Sequence, residues 1–333
     1  MEREIGRGRQ GEPSSRCRYA GRGIARVADA ARSRRGQVVA ANVVIIHAAM
    51  TDPAGDSHFP PYLSVAAEAL GDDSGVKVRI VEDSSALASC MAEAIFAELT
   101  AAAAAERQAT LVIPVGPVDQ YPPLAAMINE QGIDCRGTML IAMDEYLDNA
   151  DQWVDLDHPL SFRGFLNRKF YDLVDERLAP KMENRVVPDP EDPGAVGRLI
   201  AERGGVDAVF GGIGINGHIA FNEPEEDISP QDFALLPTRT LEITPHTRTI
   251  NAHTVGGEIG IIPRRAITVG MKEILGARRL RFFCNRPWQR AVVRRVLHGS
   301  ITPSCPASFL RTHPDSALTM ARYVAEPPEI CLR

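Results

Sequence analysis

The sequence has little that would indicate a metal site, a disulfide framework, a membrane span or a nucleic-acid-binding surface. Its six cysteines are scattered and form no C-x-x-C pair, which argues against structural zinc and disulfides and indicates reduced thiols. No apolar run approaches the roughly 18 to 20 residues that span a bilayer, and no secretory signal is evident. Its net charge of -6 excludes a globally basic nucleic-acid binder. We therefore expect a cytoplasmic protein with neither membrane nor nucleic-acid partners.

The first 49 residues differ in composition from the rest of the chain. All their strong bases are arginine, interspersed with glycine and serine, and such a segment buries too little apolar surface to fold alone. We expect residues 1–49 to be a disordered tail, or not to be normally translated if Met50 is the true start. A nucleic-acid tail or a transit peptide is the functional alternative, and residues 38–47 are apolar enough for a strand. Residues 50–75 then form a lead-in segment and residues 76–333 a single catalytic domain.

From residue 76 onward, strand and helix patterns alternate. Residues 76–81 and 110–114 have strand patterns, and the alanine-rich run between them has helical spacing, with Ser84 or Ser85 as its predicted cap. Further strands are predicted at residues 138–143, 206–210 and 282–284, and further helices at 124–131, 195–203 and 288–297. This alternation predicts a parallel sheet, in which ligands bind at the carboxyl ends of the strands.

Two stretches at predicted strand ends carry candidate chemistry. Residues 206–224 run from a short strand through four glycines to His218 and Glu223, an imidazole and a carboxylate five positions apart. The alternative is a tight turn with a surface histidine. Asp144 and Glu145 end the strand at residues 138–143, where burial can tune the pKa of a carboxyl group for general-base work. There the alternative is a helix cap or a solvated turn.

Taken together, these motifs resemble the glucosamine-6-phosphate deaminase family. The resemblance covers roughly residues 76–324, in the family's order and spacing. It is carried by M-D-E-Y at 143–146, H-P at 158–159 with Ser161 and Phe165, G-H-I-A-F-N-E-P at 217–224, T-R at 247–248 with Asn251, A-I-T-V-G at 266–270, and P-A-S at 306–308 before His313 and Pro314. It implies a Rossmann-like α/β fold, with an open, mostly parallel sheet and helices on both faces. It also implies no metal or organic cofactor and a homo-oligomer.

The family's chemistry implies a role for each matching residue. Asp144 would move a proton between C2 and C1 during aldose to ketose isomerisation, His218 would open the sugar ring, and Glu223 would orient and charge-balance the imidazole. Glu145 and Gly217 would contact the substrate. The family usually has aspartate where this chain has Asn216, and an amide holds no negative charge, so we expect slower ring opening or a changed substrate.

The predicted phosphate-binding turn departs further from the family's pattern. The family has a glycine-rich turn with a hydroxyl residue after the second strand, and this chain has P-V-G-P-V-D at residues 114–119. Val115 and Gly116 still occupy substrate-binding positions, but valine has no hydroxyl and proline has no N–H to donate. Asp119 would repel a phosphate.

Two more anion-binding positions are replaced. The family's arginine after the T-R motif falls on His253 and its lysine before the last helix falls on Gln289, unless a shift of one residue makes Arg290 the replacement. Arg163 and Arg239 are candidates for a relocated anion site. The alternative is that both are solvated surface arginines.

The leading hypothesis is isomerisation with deamination of an amino-sugar phosphate, glucosamine 6-phosphate being the default substrate. The alternative is an aldose to ketose isomerase of an unphosphorylated or differently charged sugar, which would release no ammonia. Hydrolysis of 6-phosphogluconolactone is disfavoured, because that group differs around its histidine. A non-catalytic sugar sensor would not need Asp144, His218 and Glu223 together, and residues 1–74 contain no convincing helix-turn-helix.

Overall fold

The computed structural model describes residues 59–117 and 119–331, which form one compact unit. Residues 1–58, which include the predicted tail and the predicted strand at 38–47, lie outside the described part, so the expectations for them stay predictions. The described end of the lead-in segment packs on the domain, with Val65, Ala67 and Leu70 against the main core.

Seven strands form an open sheet in which every pairing is parallel. In spatial order they are β1 (Lys77–Val81), β10 (Ser316–Ala321), β9 (Leu280–Cys284), β6 (Ala208–Gly211), β2 (Thr110–Ile113), β3 (Met139–Ala142) and β5 (Arg185–Val186). Strands β2, β3 and β6 are buried along their whole length. A strand buried on both faces needs a continuous apolar run, which is why these short segments are so uniformly hydrophobic.

Helices cover both faces of this sheet, as predicted. The helices of the described part are α1 (Ser84–Ala104), α2 (Tyr121–Gln131), α3 (Phe162–Lys169), α4 (Ala195–Glu202), α5 (Pro230–Ala234), α6 (Pro245–Asn251), α7 (Met271–Leu275), α8 (Gln289–His298) and α9 (Arg322–Ala325). Alternate strand residues point to opposite faces. Leu111 and Ile113 therefore pack in the core with α1 and α2, whereas Val112 packs in the core with α4, α7 and α8.

A second, antiparallel sheet was not predicted from the sequence. Its strands are, in order, β4 (Asp144–Leu147), β8 (Arg265–Thr268) and β7 (Arg239–Glu242). Only Met143 separates β3 from β4, and its carbonyl accepts the N–H of Val269 at 2.8 Å. Asp144 therefore begins a strand, at the junction between the two sheets, and does not lie in a turn.

Helix α1 corrects the expectation that no apolar run approaches the length of a membrane span. Among the described residues it is the one helix long and apolar enough, by length and composition, to cross a membrane. Its residues Leu87, Met91, Ile95 and Leu99 are buried in the core beneath the main sheet. Their spacing of four is the pattern of a helix that packs one face on a protein core.

The first turn of α1 is capped by Asp83. Its carboxylate accepts the N–H of Ala86 at 2.8 Å, and its extended backbone, with φ at −148°, is typical of a capping residue. The prediction of Ser84 or Ser85 as the cap is wrong, because both serines already lie within the helix.

We expect Asp83→Ala to lower the free energy of unfolding by about 1 kcal/mol, because one N–H of the first turn loses its acceptor. Ser85→Ala is the matched control, at an exposed position two residues further on, and should change it by less than about 0.5 kcal/mol. Urea denaturation of both variants measures the difference. Equal losses would contradict the assignment of the cap.

Candidate active site

A cavity of about 420 Å³ opens at the carboxyl edge of the main sheet. Segments that follow β2, β3, β6 and β9 line it, and they include Val115, Gly116, Asp144, His218, Arg286 and Gln289. From β2 the chain continues to β3 and β5 on one side, and from β6 it continues to β9 and β10 on the other. Such a reversal of strand order is where open α/β sheets bind ligands.

The loop after β6 is shaped by two glycines. A Cβ on Gly214 would lie 2.0 Å from the ring of His218, so only glycine lets the imidazole lie on this backbone. Gly217 has φ at +90°, and a Cβ there would lie 2.6 Å from Sγ of Cys305. Gly217 does not line the cavity. The structure therefore places it as a turn residue, away from the substrate contact expected for it.

The hydrogen bonds of Asn216 fix the tautomer of His218. The amide nitrogen of Asn216 donates to Oε2 of Glu223 at 2.9 Å, which leaves its oxygen 2.8 Å from Nδ1 of His218. The reverse orientation would set the amide oxygen against a carboxylate. Because an amide oxygen only accepts, Nδ1 carries the proton and Nε2 is the basic nitrogen. Asn216 thus links the imidazole to the carboxylate of Glu223. The family's aspartate would not, because it has no N–H to donate.

Thr247 supports the same arrangement and was not predicted as a site residue. Its buried hydroxyl donates to Oε2 of Glu223 at 3.0 Å and lies 3.1 Å from Nδ1 of His218. Oε1 of Glu223 accepts the N–H of Thr244 at 3.3 Å. Thr244 also caps α6. The T-x-x-T pattern predicts the cap at Thr244, but no signal in the sequence places Thr247 beside Glu223.

Burial lowers the pKa of His218, and the carboxylate of Glu223, with Oε2 3.8 Å from Nδ1, opposes this effect. The effect of burial is the larger one. The imidazole is therefore neutral near pH 7 and presents a free lone pair on Nε2.

Asp144 differs from the other buried acids of the site. Only 8% of it is exposed, and its carboxyl group makes no hydrogen bond to a described residue. Burial, and secondarily the charge of Glu145, raises its pKa to about 8. Such a group holds its proton near neutral pH and can release it, as general acid–base catalysis requires.

Glu145 is fully buried but does not line the cavity, contrary to its predicted role in binding substrate. Its carboxylate accepts the N–H groups of Phe162 and Arg163, at 3.0 and 2.8 Å, and the hydroxyl of Ser161 at 3.2 Å. It therefore anchors the start of α3. That helix start supplies part of the cavity wall, so Glu145 acts by positioning the wall.

Three predicted anion-binding residues also lie outside the cavity. Arg163 donates to the carbonyl of Val154 at 2.6 Å and pairs with Glu145 at 3.3 Å. Arg239 donates to Oδ1 of Asn222 at 2.7 Å, and burial lowers its pKa. His253 is exposed and does not line the cavity. The interpretation of Arg163 and Arg239 as solvated surface arginines is also wrong, because both are held by partners within the fold.

The end of β2 offers few donors to an anion. Val115 and Gly116 line the cavity, but the following Pro117 has no N–H. The first turn of α2 contains Pro122 and Pro123, which lack N–H groups as well. Asp119, which was expected to repel phosphate, is exposed and does not line the cavity.

Gln289 lines the cavity, but both ends of its amide are already used. Its Nε2 donates to the carbonyl of Ile213 at 2.7 Å, and its Oε1 accepts the N–H of Arg286 at 2.7 Å. Arg290, the alternative replacement for the family's lysine, donates to the carbonyl of Tyr323 at 2.7 Å and pairs with Glu326, outside the cavity. Gln289 is uncharged and Arg290 lies outside the cavity, so neither supplies the charge of the family's lysine.

Arg286 lines the cavity and was not predicted. It lies two residues after the last residue of β9, so the rule that ligands bind at the carboxyl ends of parallel strands would have found it. Within residues 59–117 and 119–331, no three or more His, Cys, Asp or Glu side chains are grouped to hold a metal ion.

Comparison with known proteins gives a consistent set of relatives, although no family model matches the chain. A glucosamine-6-phosphate deaminase of Porphyromonas gingivalis is 30% identical over 224 residues, which cover 66% of this chain and 80% of the relative. One of Streptomyces avermitilis is 30% identical over 253 residues, which cover 74% and 90%.

Solved structures share the fold of this chain. A monomeric glucosamine-6-phosphate deaminase superposes with a TM-score of 0.64 at 25% identity, covering 75% of this chain and 99% of that chain. A 6-phosphogluconolactonase of Thermotoga maritima superposes with a TM-score of 0.53 at 14% identity, covering 74% and 100%. At that identity the second likeness shows a shared fold alone.

We expect Asp144→Asn to stabilise the protein increasingly as the pH rises. The unfolded chain loses this proton near pH ~4, whereas the folded protein keeps it up to a pKa of about 8. Wild-type stability therefore falls across that interval, and asparagine removes the loss. The gain in free energy of unfolding should grow to on the order of 2–5 kcal/mol by pH 9. Urea denaturation at pH 5 and pH 9 measures it. A gain independent of pH would contradict the burial of a titrating carboxyl group.

We expect Asn216→Asp to raise the pKa of His218, because a carboxylate would then face Nδ1 where the amide oxygen lies at 2.8 Å. NMR titration of the imidazole measures the change. The other seven of the chain's eight histidines are internal controls and should keep their pKa values. An unchanged pKa for His218 would show that Asn216 does not face its ring.

Proposed function

The chain belongs to the glucosamine-6-phosphate deaminase family, and from this premise we propose that it converts glucosamine 6-phosphate, or a close variant, to fructose 6-phosphate and ammonia. One observation supports this most directly. A proton-retaining carboxyl group, Asp144, and a neutral imidazole, His218, line the same cavity. Isomerisation of an aminoaldose requires such a pair, one group to open the ring and one to move a proton between carbons.

Ring opening is the task of His218. Its unprotonated Nε2 takes the proton of the anomeric hydroxyl and passes it to the ring oxygen as the C1–O5 bond breaks. The imidazolium that forms in between is stabilised through Nδ1 by Asn216 and Thr247, both of which contact Glu223. An amide in place of a carboxylate stabilises this cation less, so we propose that ring opening is slower than in relatives with aspartate here.

Isomerisation is the task of Asp144. Its ionised form removes the proton from C2, and a C1=C2 double bond forms as the C1=O π bond breaks and O1 takes up a proton from water. The carried proton is then delivered to C1 while the amino group loses a proton to water, which leaves an alcohol at C1 and an imine at C2. Water adds to the imine and ammonia leaves, which gives the ketose. Each step is a proton transfer or an addition of water, so the prediction that no cofactor is needed remains consistent with the proposal.

Assembly and location remain predictions. A homo-oligomer was expected from the family resemblance, and a relative of solved structure is described as monomeric. We propose a cytoplasmic enzyme with no nucleic-acid or membrane partner. Light scattering coupled to size-exclusion chromatography would distinguish a monomer from an oligomer.

A second candidate function is supported by the altered anion-binding positions. Pro117 has no N–H, the amide of Gln289 is already paired, and His253 lies outside the cavity. An aldose to ketose isomerase of an unphosphorylated or differently charged sugar would need none of them. Release of ammonia distinguishes the two functions.

We expect wild-type protein to release equal amounts of ammonia and fructose 6-phosphate from glucosamine 6-phosphate, and Asp144→Asn to lower kcat by about 10²–10⁴-fold, because an amide cannot accept the C2 proton. Coupled assays for both products measure this. Asp119→Asn, at an exposed position outside the cavity, is the matched control and should keep full activity. Full activity of Asp144→Asn would remove Asp144 from the mechanism. Ketose formation without ammonia would support the second function.

A further inference from the structure

Arg286 is the only lysine or arginine among the described residues that line the cavity. Its backbone is held in place, since its N–H donates to Oε1 of Gln289 at 2.7 Å. Its guanidinium makes no hydrogen bond or ion pair with a described residue. A partly buried arginine is normally paired, so a free one in a cavity is available to a ligand.

The neighbouring arginines do not share this property. Arg290 contacts Tyr323 and Glu326, and Arg294 is fully buried with its guanidinium on the carbonyls of Val65, Ala325 and others. These side chains tie α8 to Val65 and to residues 323–326. They are therefore structural, and Arg286 is the exception in this arginine-rich region.

We propose that Arg286, at the end of β9, binds the phosphate group of the substrate in place of the altered contacts at residues 115–119, 253 and 289. This inference rests on the proposed function and identifies the residue that recognises the negative charge of the substrate. Pro117, Pro122 and Pro123 support this proposal, because they remove N–H donors from the segment after β2. A guanidinium replaces those donors with a bidentate, permanently charged one.

The order of the strands gives the approximate distance between this site and Asp144, which would act on C1 and C2. Strands β9, β6, β2 and β3 are successive neighbours. At about 4.8 Å per spacing, the strands that lead to Arg286 and Asp144 lie roughly 14 Å apart. In an open-chain hexose 6-phosphate, C1 and C2 lie at one end and the phosphate at the other. The substrate would therefore lie across the ends of β6 and β2, in the cavity that His218 also lines, with its phosphate towards Arg286.

The test compares Arg286→Gln, Arg286→Lys and Arg290→Gln with the wild type. Arg290→Gln is the matched control, because it removes an arginine four residues away that does not line the cavity. Arg286→Gln should raise KM for glucosamine 6-phosphate, and the Ki of inorganic phosphate as a competitive inhibitor, by about 10- to 100-fold, with little change in kcat. Arg286→Lys should raise KM and Ki by less, since lysine keeps the positive charge but not the two parallel N–H donors of the guanidinium.

Unphosphorylated glucosamine separates loss of the anion contact from general damage. Its kcat/KM should be the same in Arg286→Gln and in the wild type. An equal loss on both sugars, an unchanged KM for the phosphosugar, or an equal loss in Arg290→Gln would each overturn the proposal.

Failure of the proposed function is distinguishable from failure of this inference. If the wild type does not turn over glucosamine 6-phosphate, calorimetric titration with inorganic phosphate still compares the wild type with Arg286→Gln. Weaker binding in the variant would support an anion site at Arg286 and leave only the substrate in question. Equal binding, or none by either protein, would overturn the inference.

Discussion

A carboxylate that is removed from water must be given hydrogen-bond donors or must keep its proton, and the site depends on both outcomes. Glu145 and Glu223 are buried with several donors each. Asp144 has none among the described residues, and its pKa rises to about 8. The paired acids fix the geometry, one by holding α3 and the other by orienting the imidazole through Asn216 and Thr247. The unpaired acid is left free to exchange a proton.

Much of the fold could be predicted from the sequence, because it depends on local patterns. The alternation of apolar strands and helices gave the parallel sheet, and the position of Asp144 and His218 after strands placed both at one edge. The small antiparallel sheet was missed because β7 and β8 carry no periodicity that distinguishes them from loops. The cap of α1 was missed by one residue, as helix boundaries often are.

The site was harder to predict where contacts join distant segments. Thr247 lies 29 positions from His218, and no local signal relates the two. Residue type alone suggested that Arg163 and Arg239 were available to a ligand, but the fold already uses both. Alignment with the family pointed to Gln289 as the position of the lost lysine. The unpaired guanidinium in the cavity belongs to Arg286, three positions earlier. Which arginine is unpaired is a property of the three-dimensional packing and cannot be read from composition.

The pairing of β8 with β4 has a wider consequence for this enzyme. Thr268 lies opposite Asp144, while its hydroxyl accepts the N–H of Phe221 at 3.0 Å and the next carbonyl accepts the amide of Asn222 at 2.8 Å. Strand β8 thus holds Asp144 and the segment that follows His218 in a fixed relation to each other. Arg286 follows β9, in the seven-stranded parallel sheet. On the proposed assignment, the side chain that recognises charge therefore lies outside the strand that links Asp144 to the loop of His218, so a change of recognised charge need not disturb that link.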